Sequence, residues 1–242
     1  MASIASNIMS PKTLSLEEKF VVVFVLDVSH SMFSWISSGE MKKAATEFLA
    51  SCKLKYEDAT VIFTQFGTNV KISDPTPIKL AEVPNLEPDG MTAFYEATCK
   101  SIKIANTISE KGVLFIISDG KDNSSLNEYT SDVFKKTISD LEKKNWEICF
   151  IGANEEIVKY GIHSGIPETS CAAYDESQPG SMLKLSRAVS TMVSSKDKST
   201  PLDIRSLSTP TSRPEASQPP ALKRSRAVGP HTPMLVPRKL DL

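Results

Sequence analysis

The chain has 242 residues, is 40% hydrophobic and 24% charged, and carries a formal net charge of −1. No apolar run approaches the roughly 18 residues of a membrane span, and the first 16 residues lack a charged stretch followed by an apolar one, so neither a spanning helix nor a secretory signal is expected. The near-zero charge hides a division: from Ser195 onward nine Lys/Arg stand against four Asp/Glu, a net +5, which leaves −6 on residues 1–194. An acidic globular part gives no reason to expect nucleic-acid binding by the domain.

Along the chain, the apolar run Phe20-Val21-Val22-Val23-Phe24-Val25-Leu26 ends at Asp27. Such a run predicts a strand buried on both faces, opening into a polar loop. Ser37 and Glu40 have capping-box spacing. The residues Met41, Ala44, Ala45, Phe48, Leu49 and Cys52 then fall on one helical face. A strand over 59–66, the turn Gly67-Thr68-Asn69 and a short run at 70–72 predict a hairpin with an antiparallel edge strand.

Residues 73–92 are Pro-rich and predict an irregular surface excursion. A second amphipathic helix is marked by Phe94, Ala97, Thr98, Ser101, Ile102, Ala105 and Ile108. The apolar run from Gly112 to Ser118 ends, like the first, in an acid, Asp119. A helix over 131–144, a strand over 146–153, a short helix over 155–160, a strand over 170–174 and a closing helix over 181–193 complete the pattern. This alternation predicts an α/β fold: a doubly wound, mostly parallel sheet with one short antiparallel edge strand and helices on both faces.

Three regions follow: an N-terminal extension 1–17, a domain 18–194 and a tail 195–242. The tail holds 8 of the 15 prolines and no Phe, Trp or Tyr, and is expected to be disordered. Within it, Lys223-Arg224-Ser225-Arg226 has the character of a nuclear-import or anionic-surface patch. Three Thr-Pro pairs (Thr200, Thr209, Thr232) and the terminal Arg238-Lys239-Leu240-Asp241-Leu242 have the form of kinase sites and a docking peptide. Cys52, Cys99, Cys149 and Cys171 are widely spaced with no Cys-x-x-Cys pair, so buried reduced thiols in a cytoplasmic protein are expected.

In a doubly wound sheet, ligands bind beyond the carboxyl ends of the strands, where the strand order reverses. If the strands ending at Asp27 and Asp119 are neighbours, both acids face one crevice. Alternation in Asp27-Val28-Ser29-His30-Ser31 turns three oxygens to one side, and the loop 88–92 can bring Thr92 in. Asp27, Ser29, Ser31, Thr92 and Asp119 form an all-oxygen set suited to Mg²⁺ or Mn²⁺ rather than zinc, with a position left open for a carboxylate from outside. Asp122 and Asn123 are expected to be solvated loop residues. Core packing is expected for Phe33 and Trp35, with ligand contact as the alternative.

These residues, with Gly90-Met91-Thr92, Ile117-Ser118-Asp119-Gly120 and the stretch Val113 to Gly152, resemble a von Willebrand factor type A domain with an intact metal-ion-dependent adhesion site. The similarity covers roughly residues 18–194 and is greater to intracellular members of bacteria, phages and lower eukaryotes than to integrin or collagen-binding domains. His30 stands where many members have glycine, and Met91 where a small residue is frequent. Neither change removes a ligand. The resemblance implies a non-enzymatic module that captures an Asp or Glu of a partner protein through the metal, with His30, Gly90 and Lys121 around the opening as partner contacts. Two alternatives stand beside it: a scaffold with a vestigial metal site, and a Mg²⁺-dependent hydrolase or phosphotransferase. No nucleophile–base–orienter set or phosphate-binding loop supports the latter.

Overall fold

The computed structural model describes residues 19–195 and 202–208. The extension 1–17, the basic patch at 223–226, the three Thr-Pro pairs and the terminal peptide lie outside these residues. Among them runs one sheet. Strand β1 (Val21–Asp27) is central, with β2 (Thr60–Phe66) on one side and β5 (Gly112–Ser118) on the other, both parallel to it. Strands β6 (Glu147–Gly152) and β7 (Cys171–Ala173) continue the parallel sheet beyond β5. On the far side, β3 (Val70–Ile72) and the two-residue β4 (Thr76–Pro77) both pair antiparallel with β2. The hairpin and its antiparallel edge are as expected. The excursion over 73–92 also supplies β4 and a 3-10 turn at Ile78–Leu80.

The apolar strands are apolar throughout because both faces are covered. Val22, Phe24 and Leu26 face one core layer, and Val21, Val23 and Val25 face the other. The first layer packs against α2 (Glu40–Lys55) and α6 (Ser181–Ser195), the second against α3 (Phe94–Ala105), α4 (Ser131–Lys143) and α5 (Glu155–His163). In the first layer Phe48 of α2 stacks on Phe115 of β5, with ring centroids 3.9 Å apart, and Phe24 meets both edge-on. The predicted face of α2 is the buried one, from Met41 through Cys52.

The capping box does not form. Ser37 ends a five-residue helix α1 (Phe33–Ser37), and Gly39, in the left-handed region at φ 72°, occupies the cap position of α2 without any side-chain bond. Glu40 instead turns away to the start of α6. Its carboxylate accepts the amide N–H groups of Gly180 (2.9 Å) and Leu183 (3.3 Å). These are the unpaired donors of a helix N-terminus, which a carboxylate satisfies best. Glu40→Ala should therefore destabilise the protein by about 1–2 kcal/mol in urea unfolding, with Glu40→Gln recovering much of the loss.

Part of the tail also departs from expectation. Residues 202–208 are ordered, with Ile204 fully buried and a 3-10 turn at Arg205–Leu207. The composition of the tail is polar on average, but the run Leu202-Asp203-Ile204-Arg205-Ser206-Leu207 concentrates apolar residues in one place.

Candidate metal centre

Asp27 ends β1 and Asp119 follows β5, its neighbour in the sheet. Leu26 of β1 is in register with Ile117 of β5, so the two chain ends rise side by side at the point where the sheet order turns. Asp27 is fully buried. Its Oδ1 accepts the Ser29 amide N–H at 2.8 Å and its Oδ2 accepts the Ser118 hydroxyl at 2.5 Å. From there hydroxyls lead outward: Ser29 Oγ lies 3.0 Å from Ser31 Oγ, and the Ser31 hydroxyl donates to Asp119 Oδ1 at 2.7 Å. Burial falls along this path, from Asp27 and Ser29 inside to half-buried Asp119 and exposed Ser31.

Thr92 is buried and reaches the same place. A side-chain carbon added to Gly120, the residue after Asp119, would lie 3.1 Å from Thr92 Oγ1. Backbone bonds hold its loop. The Asp89 amide donates to Val28 O (2.6 Å), the His30 amide to Gly90 O (2.9 Å) and the Thr68 amide to Asp89 O (2.9 Å). Gly90, at φ +55°, makes the turn that an L side chain rarely adopts. Asn123 fixes the other flank, its Oδ1 accepting the Thr92 amide at 2.8 Å. The structure thus links Asp27, Ser29, Ser31 and Asp119 by hydrogen bonds and sets Thr92 beside Gly120.

Asp122 and Asn123 are loop residues as expected, Asn123 exposed and Asp122 half-buried, and both also brace the crevice. Asp122 Oδ1 accepts the Tyr95 amide at the start of α3 (3.0 Å) and the Ser125 hydroxyl, while the Asp122 amide donates to the Tyr160 hydroxyl. Ser118 and Asn123 are the supporting residues that sequence reasoning missed. The affinity of Asp and Asn for nearby backbone N–H groups was the available signal for Asn123. Ser118 carried none, because its role exists only once β1 and β5 are neighbours.

The electrostatics are those of buried acids without a counter-charge. Burial pushes the Asp27 carboxyl up to about 6 against the hydrogen bonds from Ser118 and Ser29, and the neighbouring Asp119 charge adds to the rise. Asp119 is raised as well, by burial first and then by Glu176, with the Ser31 hydroxyl opposing. Among the described residues no three His, Cys, Asp or Glu side chains form a metal cluster. The set here has two carboxylates, and three hydroxyls supply the other oxygens. Two acids that repel each other in one crevice with convergent hydroxyls fit a hard dication by donor chemistry.

Around the opening, His30, Gly90 and Lys121 are all exposed. Lys121 Nζ pairs with Glu156 Oε1 of α5 at 2.6 Å. Two large apolar side chains join them, Phe33 at 55% exposure and Met91 at 49%. Phe33 therefore departs from the expected core packing: α1 turns its ring outward, with the His30 ring centroid 6.3 Å away. Trp35 does pack, edge-on to Tyr174 at 5.2 Å.

This topology and crevice define a von Willebrand factor type A-like fold. Among solved structures, the chain is similar to a von Willebrand factor type A protein from Catenulispora acidiphila, with TM-score 0.55 and 14% identity over 74% of this chain and 44% of that one. It is similar also to the pilus adhesin SpaC from Lactobacillus rhamnosus GG, with TM-score 0.53 and 12% identity over 73% of this chain and 30% of that one. The chain thus spans less than half the length of either. No family model matches the sequence, and no curated protein is significantly similar to it.

Proposed function

We propose that this chain is a metal-dependent protein-binding module. Asp27, Ser29, Ser31, Thr92 and Asp119 would hold one Mg²⁺ or Mn²⁺, and an Asp or Glu side chain of a partner protein would complete its coordination. The observation that carries this reading is the fully buried Asp27, which lies beside another acid and is bonded by Ser118 and Ser29. A bound dication supplies the positive charge that both carboxylates lack and that an external carboxylate needs. Ser29, Ser31 and Thr92 contribute oxygens without charge, which leaves the ion attractive to one more anion. His30, Gly90 and Lys121, with Phe33 and Met91, would form the surface around that contact.

A binding role is favoured over catalysis by the residues at the opening. His30 is exposed and ring-to-ring with Phe33, and Lys121 is engaged by Glu156, so neither stands as a poised base or nucleophile. A cytoplasmic location goes with this reading, supported by four buried and widely spaced cysteines.

The decisive test is thermal and calorimetric. Mg²⁺ at about 100 times its Kd should stabilise the EDTA-treated protein by about 2.7 kcal/mol, a rise in Tm of roughly 5–10 °C for a domain of this size. Mn²⁺ should act similarly. Partner capture should be lost in EDTA and restored by the ion. A flat calorimetric titration with no change in Tm would overturn the metal reading.

A further inference from the structure

The tail segment 202–208 binds the body of the protein through a few separable contacts. Ile204 is the only isoleucine from Ser195 onward, and it is fully buried in the core layer that includes Ala172, Tyr174, Leu185 and Val189. Its amide donates to the Thr169 carbonyl at 2.7 Å. Arg205 sets two guanidinium nitrogens on the two oxygens of Glu155, at 3.2 and 2.8 Å, and its Nε lies 3.7 Å from Glu168 Oε1. Ser208 Oγ accepts the amide N–H of Ala173 at 3.1 Å. Among the described residues β7 is the last strand of the sheet and pairs with β6, so this amide belongs to its outer edge.

An aliphatic anchor, a bidentate Arg–carboxylate pair and backbone donors and acceptors along a strand edge are the components of short-peptide recognition. The segment joins no strand of the sheet and makes one 3-10 turn. We propose that the edge of β7, with Glu155 and the turn Glu168–Ser170, is a peptide-binding groove. In this chain residues 202–208 fill it as a tethered ligand. A partner peptide carrying the same pattern, Leu-x-Ile-Arg-x-x-Ser, competes for the groove. Tethering gives the cis segment an effective concentration on the order of millimolar, so even a weak contact keeps the groove closed in the resting chain. The groove does not depend on the metal reading, and its test leaves that reading untouched.

The test uses the full-length chain and a fluorescent peptide of residues 200–210. Ile204→Asp empties the groove of its cis ligand, and this variant should bind the peptide saturably. The wild-type chain should bind it at least tenfold more weakly. Peptides carrying Ile204→Asp or Arg205→Ala should lose at least tenfold on the opened chain, and so should Glu155→Gln introduced into that chain. Equal binding to the wild-type and opened chains, or binding to neither, overturns the proposal. Should Ile204→Asp lose its cooperative thermal transition, the double variant Ile204→Ala/Arg205→Ala takes its place. If that variant also fails to fold, 202–208 is a part of the core rather than a ligand, and the proposal falls.

Discussion

Asp27→Asn is expected to make the metal-free protein more stable at pH 7.5 and to abolish its response to Mg²⁺. The carboxyl is fully buried, and burial lifts it from the ordinary 3.8 to about 6. A group whose folded pKa is raised contributes its stability below the unfolded value and loses it as pH rises through the folded one. Without metal, ionising Asp27 therefore costs on the order of 3 kcal/mol above pH 6. The amide is neutral and avoids that cost. Its oxygen can still accept from Ser29, and its NH₂ can donate to Ser118, whose hydroxyl has the Gly120 carbonyl 3.3 Å away as an alternative acceptor.

Two dependences follow for urea unfolding. In EDTA the advantage of Asp27→Asn should be about 1–3 kcal/mol at pH 7.5 and shrink towards zero as pH falls from about 6 to 4. In saturating Mg²⁺ the order should reverse, because only the wild-type carboxylate gains from the ion. A metal-free Asp27→Asn protein that is less stable than wild type at pH 7.5 would show that the buried charge is compensated by something other than a cation.

The fold was legible wherever burial on both sides wrote itself into composition. Seven successive apolar residues before Asp27, rich in Val and Phe, predict a strand covered on both faces, and Val22, Phe24 and Leu26 do divide from Val21, Val23 and Val25 between two core layers. The crevice residues were legible because each follows a strand or opens a helix in a fixed order. What stayed hidden depends on partners distant in sequence. Ser37 and Glu40 had the spacing of a local cap, but the donors that Glu40 accepts from lie at the start of a helix 140 residues on. Ser118 gains its role only when β1 and β5 lie side by side, and Asn123 takes its partner from a loop 31 residues earlier. The segment at 202–208 was hidden by averaging, since its three aliphatic residues sit in a tail whose overall composition argues for disorder.

Gly67→Ala should lower Mg²⁺ affinity at least tenfold while leaving the central sheet folded. A Cβ at this position would lie 1.6 Å from the Asp89 carbonyl oxygen and 2.6 Å from its carbon, both backbone atoms that cannot rotate away. The loop at 88–92 must therefore move. That loop is tied to the first crevice loop by Asp89 N–Val28 O and Gly90 O–His30 N, and it carries Thr92. Displacing it pulls one of the five oxygens out of place and disturbs the turn that presents Ser29 and Ser31. The overpacking should cost about 2–4 kcal/mol, seen as a lower urea midpoint with the cooperative transition kept. Gly39→Ala is the control. It also strains a left-handed residue, at φ +72°, but with nothing within 4 Å of the new carbon, so it should cost about 1 kcal/mol and leave Mg²⁺ affinity unchanged. If the two variants lost affinity alike, the effect would come from lowered stability. If neither lost any, the clamp between Gly67 and Asp89 would not be what holds Thr92 at the crevice.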